Sequence, residues 1–179
     1  MGRDKALIRF EGHTLVERAA ERLGRVCNPV LIASGARRLD VAGHLSVDDA
    51  VPGIGPLGGL AAALLASPHQ LLAAIAVDMP WFDPALLLLL SERIGDNEAC
   101  VPLTDRGPEP LHAVYARAGL PVVDAAMSSA DHSLRRLCSD LRVRYVPKDE
   151  WRGAGIAPGF ARNINTAVDL ARFTEAGIG

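Results

Sequence analysis

The sequence predicts an α/β domain of three layers, doubly wound around a mostly parallel sheet. Three observations carry this reading. Strand-like apolar runs alternate with helix-spaced ones through the first two-thirds of the 179 residues. Residues 71–77 are apolar at every position, as expected of a central parallel strand buried on both faces. Glycines and carboxylates gather where such runs end, which is where open parallel sheets keep their ligands.

The elements follow in order. Thr14 is an N-cap for a helix over 14–23, and Glu17 three residues on completes a capping box. Residues 30–33 and 45–47 read as strands. Helical spacing returns at 57–66, ahead of the strand 71–77. Pro84 behind Asp83 suits a first helical residue behind its cap, so 84–94 reads as a helix. Residues 100–103 read as a strand. The turn Asp105-Arg106-Gly107-Pro108 leads to 110–115, a further strand that can run antiparallel to it. Helices are expected at 120–127 and 133–141, the second started by Asp131-His132-Ser133. A strand at 143–146, a surface loop at 152–159 and a helix at 167–173 complete the chain. No repeat, linker or low-complexity tail divides it, so a single domain is expected.

Composition excludes several classes of partner. The net charge is −2, from 19 basic and 21 acidic residues that are dispersed along the chain, so neither nucleic acid nor a membrane surface is an expected partner. Arg37-Arg38 and Arg135-Arg136 read as solvated faces. Cys27, Cys100 and Cys138 are far apart and form no C-x-x-C pair, which argues against a disulfide framework or a zinc site and fits a reducing cytoplasm. No apolar stretch follows Met1-Gly2-Arg3-Asp4-Lys5, so no signal peptide is read there. The longest apolar runs, 57–66 and 85–90, fall short of the ~20 residues that span a bilayer.

The chemistry is expected beyond the strand ends. After 30–33 come Ala33-Ser34-Gly35. After 45–47 come Asp48 and Asp49, then Pro52-Gly53-Ile54-Gly55-Pro56-Leu57-Gly58-Gly59. After 71–77 come Asp78-Met79-Pro80, and near the C-terminus stands Asn163-Ile164-Asn165-Thr166. Asp78 reads either as a capping aspartate or as a ligand for Mg²⁺, a hard cation commonly held by one or two carboxylates plus substrate phosphates. Asp48 and Asp49 are adjacent, so only one can face the crevice. Gly58-Gly59 inside a first helical turn costs roughly 1 kcal/mol per residue against alanine, which points to a close approach by another group. Lys5 alone reads as an ordinary lysine near a terminus. His112 reads as structural or substrate-lining, with a base as the other alternative. His13, His44, His69 and His132 fall in turns and carry no role, and Trp81 is expected to pack near the site mouth.

Together these pieces resemble one family, the molybdenum cofactor guanylyltransferases, within the nucleotidyltransferase superfamily and its Rossmann-like fold. The matching segments are Met1-Gly2-Arg3-Asp4-Lys5-Ala6-Leu7, Gly12-His13-Thr14-Leu15, Asp48-Asp49 with 52–60, and Ala76-Val77-Asp78-Met79-Pro80. They continue with Glu109-Pro110-Leu111-His112-Ala113-Val114-Tyr115, Asn163-Ile164-Asn165-Thr166 and Asp169-Leu170. They run in the family's order over almost the whole chain. Gly-Pro-Leu-Gly-Gly, Asp-Met-Pro and Asn-Ile-Asn-Thr are specific as a set and weak singly.

The resemblance implies transfer of GMP from GTP to the terminal phosphate of molybdopterin or the molybdenum cofactor, with Mg²⁺ as cofactor and pyrophosphate as product. Cofactor-synthesis proteins or molybdoenzymes would be its protein partners. It implies that Lys5 contacts GTP phosphates, that Asp78 is the Mg²⁺ ligand, and that Lys5 and Asp78 carry catalysis. Asp49 would lie near the guanosine with Asp48 beside it. Pro56, Leu57, Gly58 and Gly59 would line the base and ribose pocket, and Asn163 and Asn165 would complete the site. A cytidylyl- or sugar-phosphate transferase, or a non-catalytic cofactor-binding relative, are the other readings of the same scaffold. Two departures from the family pattern stand out. Ala33 or Ser34 takes the place of a usual asparagine, which removes one nucleotide contact. The family's opening strand and its loop Leu-x-Gly-Gly-x-Ser-x-Arg-Met-Gly are expected to lie ahead of Met1 or to be absent. A start assigned at an internal methionine is the reading taken, and a degenerate relative without activity is the other.

Overall fold

The computed structural model describes residues 5–10, 12–35, 39–49 and 51–164. The expected helix at 167–173, Asn165, and Arg37-Arg38 lie outside the described residues. A single 3-10 turn, Lys5–Leu7, leads into a two-residue hairpin of β1 (Arg9–Phe10) and β2 (His13–Thr14). Helix α1 (Leu15–Leu23) starts on the expected capping box. Thr14 Oγ1 accepts from Glu17 N–H at 3.3 Å, and Glu17 Oε2 accepts from Thr14 N–H at 2.6 Å. The two reciprocal bonds satisfy amides that the helix itself leaves unpaired.

Next come β3 (Leu31–Ala33) and β4 (Leu45–Val47), which pair in parallel, then α2 (Pro56–Ala66) and β5 (Leu71–Ile75). Helix α3 (Pro84–Arg93) is capped by the Asp83 carboxylate, which accepts from Ala85 N–H at 2.9 Å. The chain continues through β6 (Ala99–Thr104), β7 (Gly107–Pro108), β8 (His112–Ala116), α4 (Leu120–Met127), α5 (Leu134–Asp140), β9 (Val143–Val146) and α6 (Lys148–Gly153). No described helix is long and apolar enough to cross a membrane.

The sheet differs from the mostly parallel expectation. Its larger part runs in the order β5-β8-β6-β7, with β9 on β6. Among the described residues only β6–β9 and β3–β4 are parallel, whereas β8 runs antiparallel to both β5 and β6. The strand expected at 110–115 is therefore present and antiparallel to its predecessor. It is also inserted between two strands that precede it, and this is what makes the sheet mixed. Alternate side chains of β6 and β8 go to opposite faces. Ala99, Val101, Ala113 and Tyr115 pack under α2, α4 and α5, while Cys100 and Val114 pack under α3, α6 and Phe160. The result is helices on both faces of a sheet, the three-layer arrangement expected.

The strand at 71–77 is shorter than expected, and it is neither parallel to its partner nor deeply buried. Leu71 is exposed and the rest of β5 is half-buried. The cause is at its second edge. Arg117 N–H donates to Gln70 O and Ala76 N–H donates to Leu111 O, so the even-numbered residues of this strand bond to the β8 side. In an antiparallel ladder the alternate residues then turn their N–H and C=O groups the other way. These are Leu71, Ala73 and Ile75. Beyond them lies an apolar cavity of about 850 Å³, walled on its far side by residues 26–33 leading into and along β3. Among the described residues β3 and β5 do not pair with each other.

Trp151 fixes α6 against the sheet. It is buried, donates its indole N–H to Leu103 O at 2.9 Å, and meets Phe160 edge-on at 5.2 Å. Trp151→Ala is expected to cost about 3–5 kcal/mol of unfolding free energy, read as a lower urea midpoint with the circular dichroism spectrum of the native state retained.

Candidate active site

The site is built at the ends of β4 and β5. Lys5, on the turn before the hairpin, reaches Asp78 three residues beyond β5: Nζ and Oδ2 are 3.1 Å apart. The lysine side chain is 38% exposed and the aspartate 19%, so the pair sits at a mouth open to solvent. Both residues line the cavity, as do Asp49, Gly55, Pro56 and Gly59.

Asp49 packs beside three glycines. A Cβ on Gly58 or Gly59 would stand 3.4 Å or 3.6 Å from its carboxylate oxygens, and one on Gly35 would stand 3.5 Å away. The carboxylate thus lies over the first turn of α2 and beside the loop after β3, where the positive end of the helix favours a negative group. Gly58 is constrained further, since its Cβ would come within 2.9 Å of Val51 O and 3.1 Å of the Ile54 side chain. Gly55, the residue before the helix, has φ 73° and ψ −149°, a region essentially reserved for glycine. The glycine pair expected to permit close approach does so for the chain's own atoms, Val51 O and the Ile54 side chain at Gly58 and the Ala33 side chain, 3.1 Å from such a Cβ, at Gly59. Asp48 is exposed and does not line the cavity.

The loop carrying Asp78 is held from several sides. Its carbonyl accepts from Ile164 N–H at 2.8 Å, which brings the Asn163 segment alongside. Asn163 Oδ1 is buried without a hydrogen-bond partner among the described residues. Arg22 on α1 donates to Pro80 O at 2.6 Å and to Phe82 O at 2.7 Å. Trp81 packs with Leu15, Ile8, Val77 and Ile164 beside the site, as expected of it. His112 is 0% exposed, lies between the rings of Phe82 and Phe160, and meets Asp83 O at 3.4 Å. It does not line the cavity, and its position is that of a pin under the loop. Burial pushes its pKa down from 6.5 to about 4, against the opposing effect of its hydrogen bond to the Asp83 carbonyl.

Two residues near the site carried no role in the sequence. Arg22 acts on backbone carbonyls, which no side-chain motif announces. Glu109 is half-buried, and burial raises its carboxyl above its ordinary range. The Leu111 N–H and the charges of Arg106 and Arg135 oppose that rise, while Asp78 adds to it. The signal available for Glu109 was its place beside Pro110-Leu111-His112.

A lysine on an aspartate and a second carboxylate by a glycine-opened helix start, both at the strand ends around one cavity, define a nucleotide-handling α/β domain. The MobA-like NTP transferase domain matches residues 1–145. The chain is 32% identical over 180 aligned positions to a probable molybdenum cofactor guanylyltransferase of Methanosarcina mazei, covering 93% of this chain and 80% of that one. It is 33% identical to a protein of the same description from Opitutus terrae, over 86% and 82% of the two chains. Among solved structures, the molybdopterin-guanine dinucleotide biosynthesis protein A of Archaeoglobus fulgidus superposes with a TM-score of 0.79 at 25% identity, over 98% and 91% of the chains. A cytidylyltransferase for 2-C-methyl-D-erythritol 4-phosphate from Thermus thermophilus gives 0.68 at 18% identity, a likeness of fold. This chain belongs to the MobA-like NTP transferase family and is a nucleotidyltransferase.

Gly58→Ala tests the packing around Asp49. Helix propensity alone favours alanine by about 1 kcal/mol, yet the contact with Val51 O is expected to reverse the sign and lower the melting temperature. His112 sets a pH dependence. Its folded pKa lies below its unfolded one, so the unfolded chain binds the extra proton between pH 6.5 and about 4. The stability it contributes is complete above pH 6.5 and is lost as pH falls towards 4. Melting temperatures measured across that range are expected to fall more steeply for the wild type than for His112→Phe.

Proposed function

We propose that this chain transfers GMP from GTP to the terminal phosphate of molybdopterin or the molybdenum cofactor, in a cytoplasmic setting. An oxygen of that phosphate attacks the α-phosphorus of GTP. The new P–O bond forms as the bond between the α-phosphorus and the bridging oxygen breaks, and pyrophosphate leaves with the electron pair. No covalent protein intermediate is required, so catalysis is positioning and charge neutralisation.

The observation that carries this reading is the Lys5–Asp78 pair, 3.1 Å apart at the mouth of the cavity that Asp49 and the start of α2 also line. Lys5 supplies a cation for the phosphates. Asp78 supplies a carboxylate oxygen, and Asn163 brings to the neighbouring segment a buried carbonyl oxygen that has no partner among the described residues. Among the described residues no group of three or more His, Cys, Asp or Glu forms a cage for a metal ion. A single carboxylate sharing a cation with substrate phosphates is the mode that suits Mg²⁺, so this oxygen-donor set fits that ion. When bound there, Mg²⁺ neutralises charge on the phosphates and on the leaving pyrophosphate. Asp49, Pro56 and Gly59, which line the cavity, are the wall assigned to guanosine; Leu57 and Gly58 are buried behind it, and Asp48 and Asn165 are further candidates.

The test is pyrophosphate release from GTP in the presence of molybdopterin, with CTP in parallel. Faster turnover with GTP supports the reading, and faster turnover with CTP transfers it to the cytidylyl class. Asp78→Asn keeps the size of the side chain and removes its charge. It is expected to lower the rate at least ~10²-fold, as loss of one preorganised electrostatic group does, with an unchanged circular dichroism spectrum. Activity close to wild type would remove Asp78 from the site.

A further inference from the structure

Both members of the Lys5–Asp78 pair are referenced to one helix, α1. Lys5 is followed by Ala6, which is buried in a cluster with Val16, Ala20 and Leu23 of α1. The Asp78 loop reaches the same cluster through Phe82, which is fully buried. Over Phe82 lies the Arg22 guanidinium, with its carbon 4.9 Å from the ring centroid. One arm of that guanidinium donates to Pro80 O and the other to Phe82 O, at 2.6 and 2.7 Å. Two short bonds from one rigid fork fix the spacing of the two carbonyls as well as their distance from the helix. The inner bonds of the loop are a succession of tight turns, Met79 N–H to Ala76 O and Phe82 N–H to Met79 O, each 3.1 Å. These turns close on their own residues and do not attach the loop to α1. Arg22 does.

We propose that Arg22 is a positioning residue for the site: it clasps the 78–82 loop to α1 and thereby sets the separation of Lys5 Nζ and the Asp78 carboxylate. It touches neither substrate nor the reacting atoms. Its effect reaches them through Pro80 and Phe82. The inference rests on the proposed role of Asp78. It goes beyond that role by assigning the geometry of the pair to a residue far away in sequence whose side chain bonds only to backbone oxygens. Lysine has one point-like ammonium in place of the fork, so it can hold one carbonyl well but not both at fixed spacing.

The experiment compares wild type, Arg22→Lys and Arg22→Ala by three readouts. The first is hydrogen–deuterium exchange of the full chain, followed at the amides of Met79 and Phe82. Exchange there is expected to rise in Arg22→Ala, and to a smaller extent in Arg22→Lys, while amides within 15–23 of α1 stay protected. The second is Mn²⁺ binding in the presence of GTP, by electron paramagnetic resonance, which is expected to weaken in the same order. The third is turnover. kcat is expected to fall on the order of 10–10²-fold in Arg22→Ala, as small misplacements of a catalytic group do, with KM for GTP little changed and kcat restored in part by lysine.

A merely structural role would lower the melting temperature and leave Mn²⁺ affinity and kcat of the folded fraction unchanged, and that outcome overturns the proposal. So does an Arg22→Ala variant with native exchange at Met79 and Phe82. If Arg22→Ala does not fold, Arg22→Lys carries the comparison alone, and wild-type values from it overturn the proposal. If the wild type shows no turnover, the GMP-transfer reading fails. Exchange at Met79 and Phe82 then decides the clasp by itself.

Discussion

The position of the Asp78 peptide is the constraint on which the site depends. Its carbonyl takes the Ile164 amide hydrogen, its loop lies under Arg22, and the end of that loop rests on His112 through Asp83 O. Three distant segments thus meet on a stretch of six residues that follows a strand. A carboxylate on such a support has little freedom of its own, which is what electrostatic preorganisation needs. The same support couples function to folding. The Asp78 loop makes these bonds only where α1, β8 and the segment at 163–164 come together, so its geometry depends on all three.

Much of this was legible locally. The caps at Thr14, Asp83 and Ser133 sit where their sequence spacing puts them, because a cap and the amide that donates to it are separated by only two or three residues. The glycines at 58 and 59 signalled a close approach, and the close neighbours are the backbone at Val51 and the side chains of Ile54 and Ala33. The adjacent pair Asp48-Asp49 gave no basis for choosing between its members. The choice comes from the packing of α2 against the loop after β4, which is a tertiary fact.

What was not legible is non-local. Nothing in residues 110–115 states that this strand inserts between β5 and β6 and reverses the direction of the sheet there, since direction is fixed by which edge is left open when the strand arrives. The short helix α6 was hidden inside a stretch that ends in glycine and proline. Arg22 looks like any exposed arginine near a helix C-terminus, and only the arrival of the Pro80–Phe82 backbone gives it a partner. His112 shows the converse. A histidine beside a substrate-like motif suggests chemistry, and burial between two phenylalanines turns it into a prop.

The slot between β3 and β5 has a consequence for the spacing of the two carboxylates. Among the described residues, one wall turns the amides and carbonyls of Leu71, Ala73 and Ile75 toward the slot, and residues 26–33 form the other. Asp49 follows the β3–β4 side and Asp78 follows β5, so the two acids stand on opposite walls. Ile32, Ala73 and Ile75 share one apolar cluster with Val16 and Leu87, which ties the walls together by side-chain packing. The width of the slot is therefore also the ruler between Asp49 and Asp78.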